Sequence, residues 1–227
     1  MPWAPDYCTV AQLKTHLRVT DSADDTPMGI SITAASRSID HWCNRQFGSA
    51  SQTRYYTYEP GVFVEGRDAL AVDDLASSSG LTVSYDTVGD GTHSTATTVN
   101  TDWVLWPRNA NSNGVPWTHL TVGLNPTQYF PYYAGGIKIV GTFGWSSVPS
   151  VVTQACLIQS ARYFQRRDAA FGVAGSPEAG NELRLLKQLD PDVQVLLGVV
   201  RRPWGAVRSG AENYWHDEVG GARWPLT

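Results

Sequence analysis

Residues 148–168, VPSVVTQACLIQSARYFQRRD, constrain the fold more than any other stretch. Pro149 suits the first turn of a helix, where a missing N–H costs nothing, and Ser147 or Ser150 can supply a capping oxygen. Neither Gly nor Pro occurs from Val151 until Gly172. Apolar residues fall at Val151, Ala155 and Ile158, at Val152 and Cys156, and at Leu157, Ala161 and Phe164. At about 100° per residue they cover more than half of the helix circumference, far more than one amphipathic stripe needs. A helix of this kind is packed on several sides, by its own domain or by neighbouring subunits, and is expected to be the central helix of the fold. Its end is polar: Arg162, Arg166, Arg167 and Asp168 follow, and the late arginines complement the negative end of the helix dipole.

Upstream, Thr9 to Gln12 form a capping box, followed by a short helix presenting Val10, Leu13 and Leu17. After the acidic TDSADDTP, Thr26-Pro27 repeats a cap-then-Pro start, with Asp24 and Asp25 near the positive end of the next helix. Met28, Ile32, Ala35, Ile39 and Trp42 or Cys43 form its apolar stripe, and Phe47-Gly48 is expected to close it. From Gln52 to Trp145 the pattern alternates instead. TRYYTYE, VFVEG, LAVDD, LTVSYDTV, ATTVNTDWVLWP, THLTVG and GIKIVGTFGW read as strands. Asp90-Gly91 and Asn113-Gly114 are the dipeptides that type I′ hairpin turns require, and Gly135-Gly136 marks a further turn. Together these predict an α+β fold: a bundle of three to four helices (1–51 and 148–202) carrying an inserted antiparallel β-sandwich or barrel-like domain (52–147). An insertion returns the chain near where it left, so its first and last strands are expected to pair. Gly172 to Gly180 reads as a flexible loop, and NELRLLKQL is ambiguous between helix and extended chain. Asp190-Pro191 is a third capped start, leading into Val193, Leu196, Leu197 and Val200. Residues 203–227 lack apolar periodicity yet hold Trp204, Tyr214, Trp215 and Trp224, the composition of an extended arm that anchors on another surface.

Charge and cysteine usage narrow the function. A net charge of −4 argues against a general nucleic-acid binder. Residues 52–150 carry eight acidic side chains against four basic, so the middle is the acidic part. Three cysteines, none in a CxxC, point to free thiols in a reducing cytoplasm rather than to a disulfide framework. No signal peptide is expected from MPWAPDYC, and no apolar run approaches the roughly 20 residues of a membrane helix, so a soluble chain is expected.

Catalytic and metal patterns find no support. The histidines (His16, His41, His93, His119, His216) lack HxxxH or HExxH spacing. Around Asp86, Asp90 and Gly91 a calcium loop fails, because Val88 and Thr97 fall where ligands belong. Gly144-Trp-Ser-Ser breaks the nucleophile-elbow pattern, and Gly172, Gly175 and Gly180 lack the Lys-Ser/Thr of a phosphate loop. Neither an enzyme nor a cofactor is expected.

The order of parts is informative as a whole. YCTVAQLKTHLRV, DSADDTP and ISITAASRSIDHWCNRQF precede the β insertion, which ends VGTFGWSSVP; TQACLIQSARYFQRRDAAFGVAG and LDPDVQVLLGVVRR follow. This succession, from Tyr7 to Arg202, resembles the head–tail connector (adaptor, head-completion) proteins of long-tailed bacteriophages, in the version found in phages of actinobacteria. The resemblance implies a structural virion protein made in the host cytoplasm. It implies a homo-oligomeric ring, typically of twelve copies, beneath the portal protein, with a downstream neck or tail protein on the far side. DNA is expected to pass through the bore during ejection without sequence-specific binding, and no membrane is involved. An acidic middle region suits such a conduit.

Three residue sets are expected to serve this role. Arg201, Arg202, Trp204, Arg208, Tyr214, Trp215 and Trp224 would bind the portal. Val151, Val152, Gln159, Tyr163, Arg166 and Arg167 would line the subunit interface, and Gly172, Gly175, Ser176 and Glu178 a loop at the lumen. Two rival readings are another neck component, such as a stopper or tail terminator, and a carbohydrate-binding β module with Trp103, Trp106 and Trp117 as its platform.

Overall fold

The computed structural model describes residues 4–167, 173–174, 183–184 and 189–202. Among them are four helices: α1 (Val10–Leu17), α2 (Asp25–Cys43), α3 (Ser150–Gln165) and α4 (Pro191–Leu197). The strands are β1 (Ser49–Tyr56), β2 (Phe63–Val64), β3 (Arg67–Tyr85), β4 (Thr95–Ala96), β5 (Trp103–Trp106), β6 (Trp117–Val122), β7 (Ile137–Gly144), β8 (Val173–Ala174) and β9 (Leu183–Arg184). The fold is α+β, as expected. The described residues divide into a helical unit, up to 50 and from 144 to 202, and a β unit over 51–143.

In the helical unit α3 packs against α1, α2 and α4. Leu13, Met28, Ile32, Ile39, Val152, Cys156, Val193 and Leu197 meet in one buried cluster, each side chain contributing about 1.5–3 kcal/mol of transfer free energy. Two of the expected caps form. Thr9 Oγ1 accepts from Gln12 N at 3.2 Å while Gln12 Oε1 accepts from Thr9 N at 2.8 Å, and Asp190 Oδ1 accepts from Asp192 N at 3.0 Å ahead of Pro191. Two others do not. The second helix begins at Asp25, one residue before Thr26, and Pro27 falls within its first turn; the Asp24 carboxylate at its N-cap is taken by Arg167 instead. At α3 the N-cap is Pro149 itself, extended, its carbonyl accepting from Val152 and Thr153, with no serine capping. α2 ends at Asn44 in the left-handed conformation, earlier than the Phe47-Gly48 stop expected.

The β unit is built on one antiparallel sheet of seven strands in the order β1-β7-β3-β6-β5, with β2 and β4 also paired to β3. First and last strands of the insertion are neighbours, as the connectivity requires. The expected strand LAVDD and the LTVSY of LTVSYDTV are parts of the single strand β3, which shifts register between Ala71 and Leu75 and again up to Thr82. Its first half pairs with β6 and its second with β7.

The hairpin turns differ from expectation. At Asp90-Gly91 and Asn113-Gly114 only the glycine has positive φ. The two-residue turn with both central residues at positive φ is Glu65-Gly66 (φ 51° and 74°), where Val64 pairs with Arg67. Asp86 overrides the local preference near Asp90: its carboxylate accepts from Val88, Gly89 and Gly91 N–H groups at 3.0, 2.6 and 2.8 Å and shapes a wider loop.

Candidate assembly surfaces

The apolar surround of α3 is largely met within its own chain. Val152, Ala155, Cys156, Gln159, Ser160 and Ala161 are buried, and Val151, Leu157, Ile158, Tyr163 and Phe164 are half-buried against the same core. This corrects two of the expected interface residues. Val152 and Gln159 face inward and offer a neighbour no surface; Gln159 Oε1 accepts from Asp190 N at 3.1 Å, tying α3 to the start of α4. Tyr163 also works internally, its hydroxyl 3.0 Å from Ser38 Oγ on α2. Arg166 and Arg167 are exposed. Arg167 lies over the Phe164 ring, 4.6 Å from its centroid, and its Nη1 is 2.7 Å from Asp24 Oδ1, a hydrogen bond that holds the Asp24 carboxyl below its usual range.

The end of α4 is fastened to the end of α2. Arg202 is buried and its N–H donates to Cys43 O at 2.9 Å, so its backbone is pinned inside rather than displayed. Arg201 is exposed, with its guanidinium 4.4 Å from the centroid of the Trp42 ring. Arg45 reaches back to Val200 O at 3.1 Å and lies over Trp145. Trp204, Arg208, Tyr214, Trp215 and Trp224 of the expected arm, and Gly172, Gly175, Ser176 and Glu178 of the expected lumen loop, lie outside the described residues.

Two apolar surfaces of the helical unit were not among the expectations. Over the first half of α2 the exposed residues Thr26, Ile30, Thr33 and Ala34 carry no charge of their own, although the Asp6 carboxylate accepts from Thr33 Oγ1 at 3.1 Å, and Ile30 is 68% exposed. Val195 and Val199 are 78% and 81% exposed, one turn apart at α4 and just after it. Both helices pack on α3, so the two surfaces belong to the outer elements of the bundle. Charge depletion with exposed aliphatic side chains is the composition of an interface core. The signal in the sequence was the absence of charge across two turns of α2, which a search for apolar periodicity passes over. A groove of about 520 Å³ opens beside α1 and α3, lined by His16, Leu17, Arg18, Ile158, Arg162 and Asp190 among others.

In the β unit Tyr129, Tyr132 and Tyr133 are exposed, and the Tyr58 ring contacts those of Phe130 and Tyr132 in tilted geometry with centroids at 5.1 and 5.5 Å. The tryptophans expected as a sugar platform do not form one. Trp103 and Trp117 are buried, and Trp103 Nε1 donates to Thr97 Oγ1 at 2.8 Å. The acidic character of this region is in good part loop construction. Asp102 accepts from Thr98 N, Thr127 N, Thr127 Oγ1 and Gln128 N at 2.7–3.0 Å; although burial opposes it, these donors hold its carboxyl below the usual range. Asp73 pairs with Arg54 and accepts from the Tyr56 hydroxyl at 2.8 Å. Among the described residues no group of three metal-ligating side chains converges, and no helix is long and apolar enough to cross a membrane.

Two solved neck structures share this fold. A chain of "Neck of empty GTA particle computed with C6 symmetry" (GTA, gene transfer agent) superposes with a TM-score of 0.54 at 19% identity, covering 90% of this chain and 96% of that one. A chain of "Neck of native GTA particle computed with C12 symmetry" gives 0.52 at 19% identity, over 86% and 90%. No protein-family model and no curated protein sequence matches the chain. The likeness extends over the helical and β parts together.

Proposed function

We propose that this chain is a structural neck component of a phage-like particle: a head–tail connector, or adaptor, present as one of twelve copies in a ring beneath the portal protein. The observation that carries the reading is the whole-chain likeness to components of two particle necks, solved with C6 and C12 symmetry, at nearly complete coverage of both partners. Coverage of 86–90% of this chain takes in residues of both the helical and the β units, more than a shared local motif would. In this role the chain is not an enzyme. It acts by placing its surfaces around a bore through which DNA passes, and by receiving the next neck or tail protein on the far side.

A cyclic ring needs two different, complementary patches on each copy, because every contact is heterologous. The uncharged face of α2 around Ile30 and the Val195/Val199 face at α4 supply such a pair on the helical unit. In this reading Val151, Arg166, Arg167 and Arg201 lie at the margins of those contacts. In the same reading Trp204, Tyr214, Trp215 and Trp224, assisted by Arg208, anchor the chain on the portal.

Native mass measurement of the purified protein, alone and mixed with portal, tests the proposal. A twelve-copy assembly that appears or is stabilised with portal is expected. Deleting 203–227 is expected to leave a folded subunit that no longer joins portal-bearing heads. A protein that stays monomeric and ignores portal while binding a tail-tube or stopper partner would mark it as a different neck component.

A further inference from the structure

The described residues also contain a pair of thiols that the assembly role does not use. Cys8, just ahead of α1, and Cys156, in the middle of α3, are 148 residues apart in sequence, yet their Sγ atoms lie 3.2 Å apart in the buried core. Ser36 Oγ is 3.4 Å and Ser160 Oγ 3.6 Å from Cys156 Sγ. The segment carrying Cys8 is tied residue by residue to α2. Arg37 Nη2 donates to Pro5 O at 2.7 Å, Thr33 Oγ1 donates to Asp6 Oδ2 at 3.1 Å, Tyr7 N donates to Ser36 Oγ at 3.1 Å, and the Tyr7 hydroxyl donates to Asp40. Cys8 is therefore held against α3 by contacts that do not involve its sulfur.

We propose that Cys8 and Cys156 are a redox couple that closes to an intramolecular disulfide with a peroxide as oxidant and is reopened by a thiol reductant. Cys156 attacks first. Its thiolate forms an S–O bond to one peroxide oxygen, the O–O bond breaks, and the departing hydroxide takes up a proton, leaving a sulfenic acid. Cys8 Sγ then attacks that sulfur, the S–O bond breaks, and water leaves with the Cys8 proton. Two thiols and one hydrogen peroxide thus give one disulfide and two waters; each sulfur loses one electron and the peroxide gains two. The assignment of roles follows from the surroundings. Cys156 Sγ has two serine hydroxyls at 3.4 and 3.6 Å besides the Cys8 contact, and together these lower the pKa of its thiol against the effect of burial, whereas Cys8 Sγ has Ser160 Oγ only at 4.0 Å and the shared contact and burial push it up.

The chemistry is independent of the neck proposal. If that proposal holds, the couple stays reduced in the host cytoplasm and closes once the particle reaches oxidising surroundings. Cys43 is the internal standard: it is buried in the same core, and burial pushes its thiol up to about 12.

The test treats the full-length reduced protein with hydrogen peroxide, alkylates the remaining thiols and maps the peptides. A Cys8–Cys156 linked peptide, two hydrogens lighter than the sum of its parts, is expected, with Cys43 still alkylated and with dithiothreitol restoring both thiols. The same treatment in urea is expected to lose the selectivity, and Cys156→Ser to leave Cys8 as a free thiol. A link through Cys43 overturns the proposal. So does a sulfinic acid at Cys156 beside an unreacted Cys8, or a folded protein left untouched by peroxide that oxidises the unfolded chain.

Discussion

Asp40 sits in the helical core, where a carboxylate is costly unless compensated. The Tyr7 hydroxyl donates to it and Arg37 Nη2 lies 3.2 Å away, yet burial outweighs both and pushes its carboxyl up to about 6. Because the folded value lies above the unfolded one, the stability this group contributes is complete below about pH 4 and is lost as pH rises through about 6. Unfolding free energies of wild type and Asp40→Asn from urea titrations across this range are expected to shift in favour of Asn by about 2 kcal/mol between pH 4 and 7; a constant difference would contradict the assignment. Gly144 makes a second residue-scale case. Its φ is +104°, and a Cβ there would lie 1.8 Å from Gly48 O, whereas at Gly91 (φ +81°) nothing stands within 4 Å. Thermal or urea unfolding should show Gly144→Ala costing more than about 3 kcal/mol and Gly91→Ala only about 1 kcal/mol. At this scale the sequence was legible where partners are three or four residues apart, as for Thr9 with Gln12. It was silent where they are far apart: the second helix starts at Asp25 rather than behind a Thr26 cap, and the Asp24 carboxylate at its N-cap is claimed by Arg167, 143 residues on.

Elements were legible by period and less so by extent. Alternation located most of the strands, but Ala76 to Gly80 break the pattern, so nothing in the sequence joined two apparent strands into the 19-residue β3 that pairs with β6 and β7 in turn. The turn dipeptides misled because Asp86 gathers three backbone N–H groups and imposes its own loop, whereas Glu65-Gly66 makes the tight turn without the usual Asn or Asp. The central helix was found through its breadth of apolar surface, but that breadth reports burial beneath α1, α2 and α4 as well as it would report neighbours. Side chains that organise loops should therefore outweigh caps. Asp102→Ala removes four hydrogen bonds from two loop segments and is expected to cost about 3 kcal/mol, against about 1 kcal/mol for Thr9→Ala, both readable by denaturant unfolding.

For the whole molecule, the proposed ring makes a prediction that an isologous dimer does not. Ile30→Glu and Val195→Glu each place a charge on an exposed helix face, so both variants should fold and neither should form rings. Mixed together, each retains the face the other has lost, and native mass measurement is expected to show dimers that grow no further. The surfaces behind this prediction escaped the sequence reading, because exposure of a valine or isoleucine is set by what packs elsewhere. The chain leaves the helical core at Gly48 and re-enters at Trp145, whose N–H donates to Gly48 O at 3.1 Å, so departure and return share a doorstep. A short bridge of two or three residues could replace everything between them. A miniature protein of that design should keep its helical circular dichroism and melt cooperatively, and the excised cassette would then be interchangeable, free to be replaced while the helical bundle stays the same.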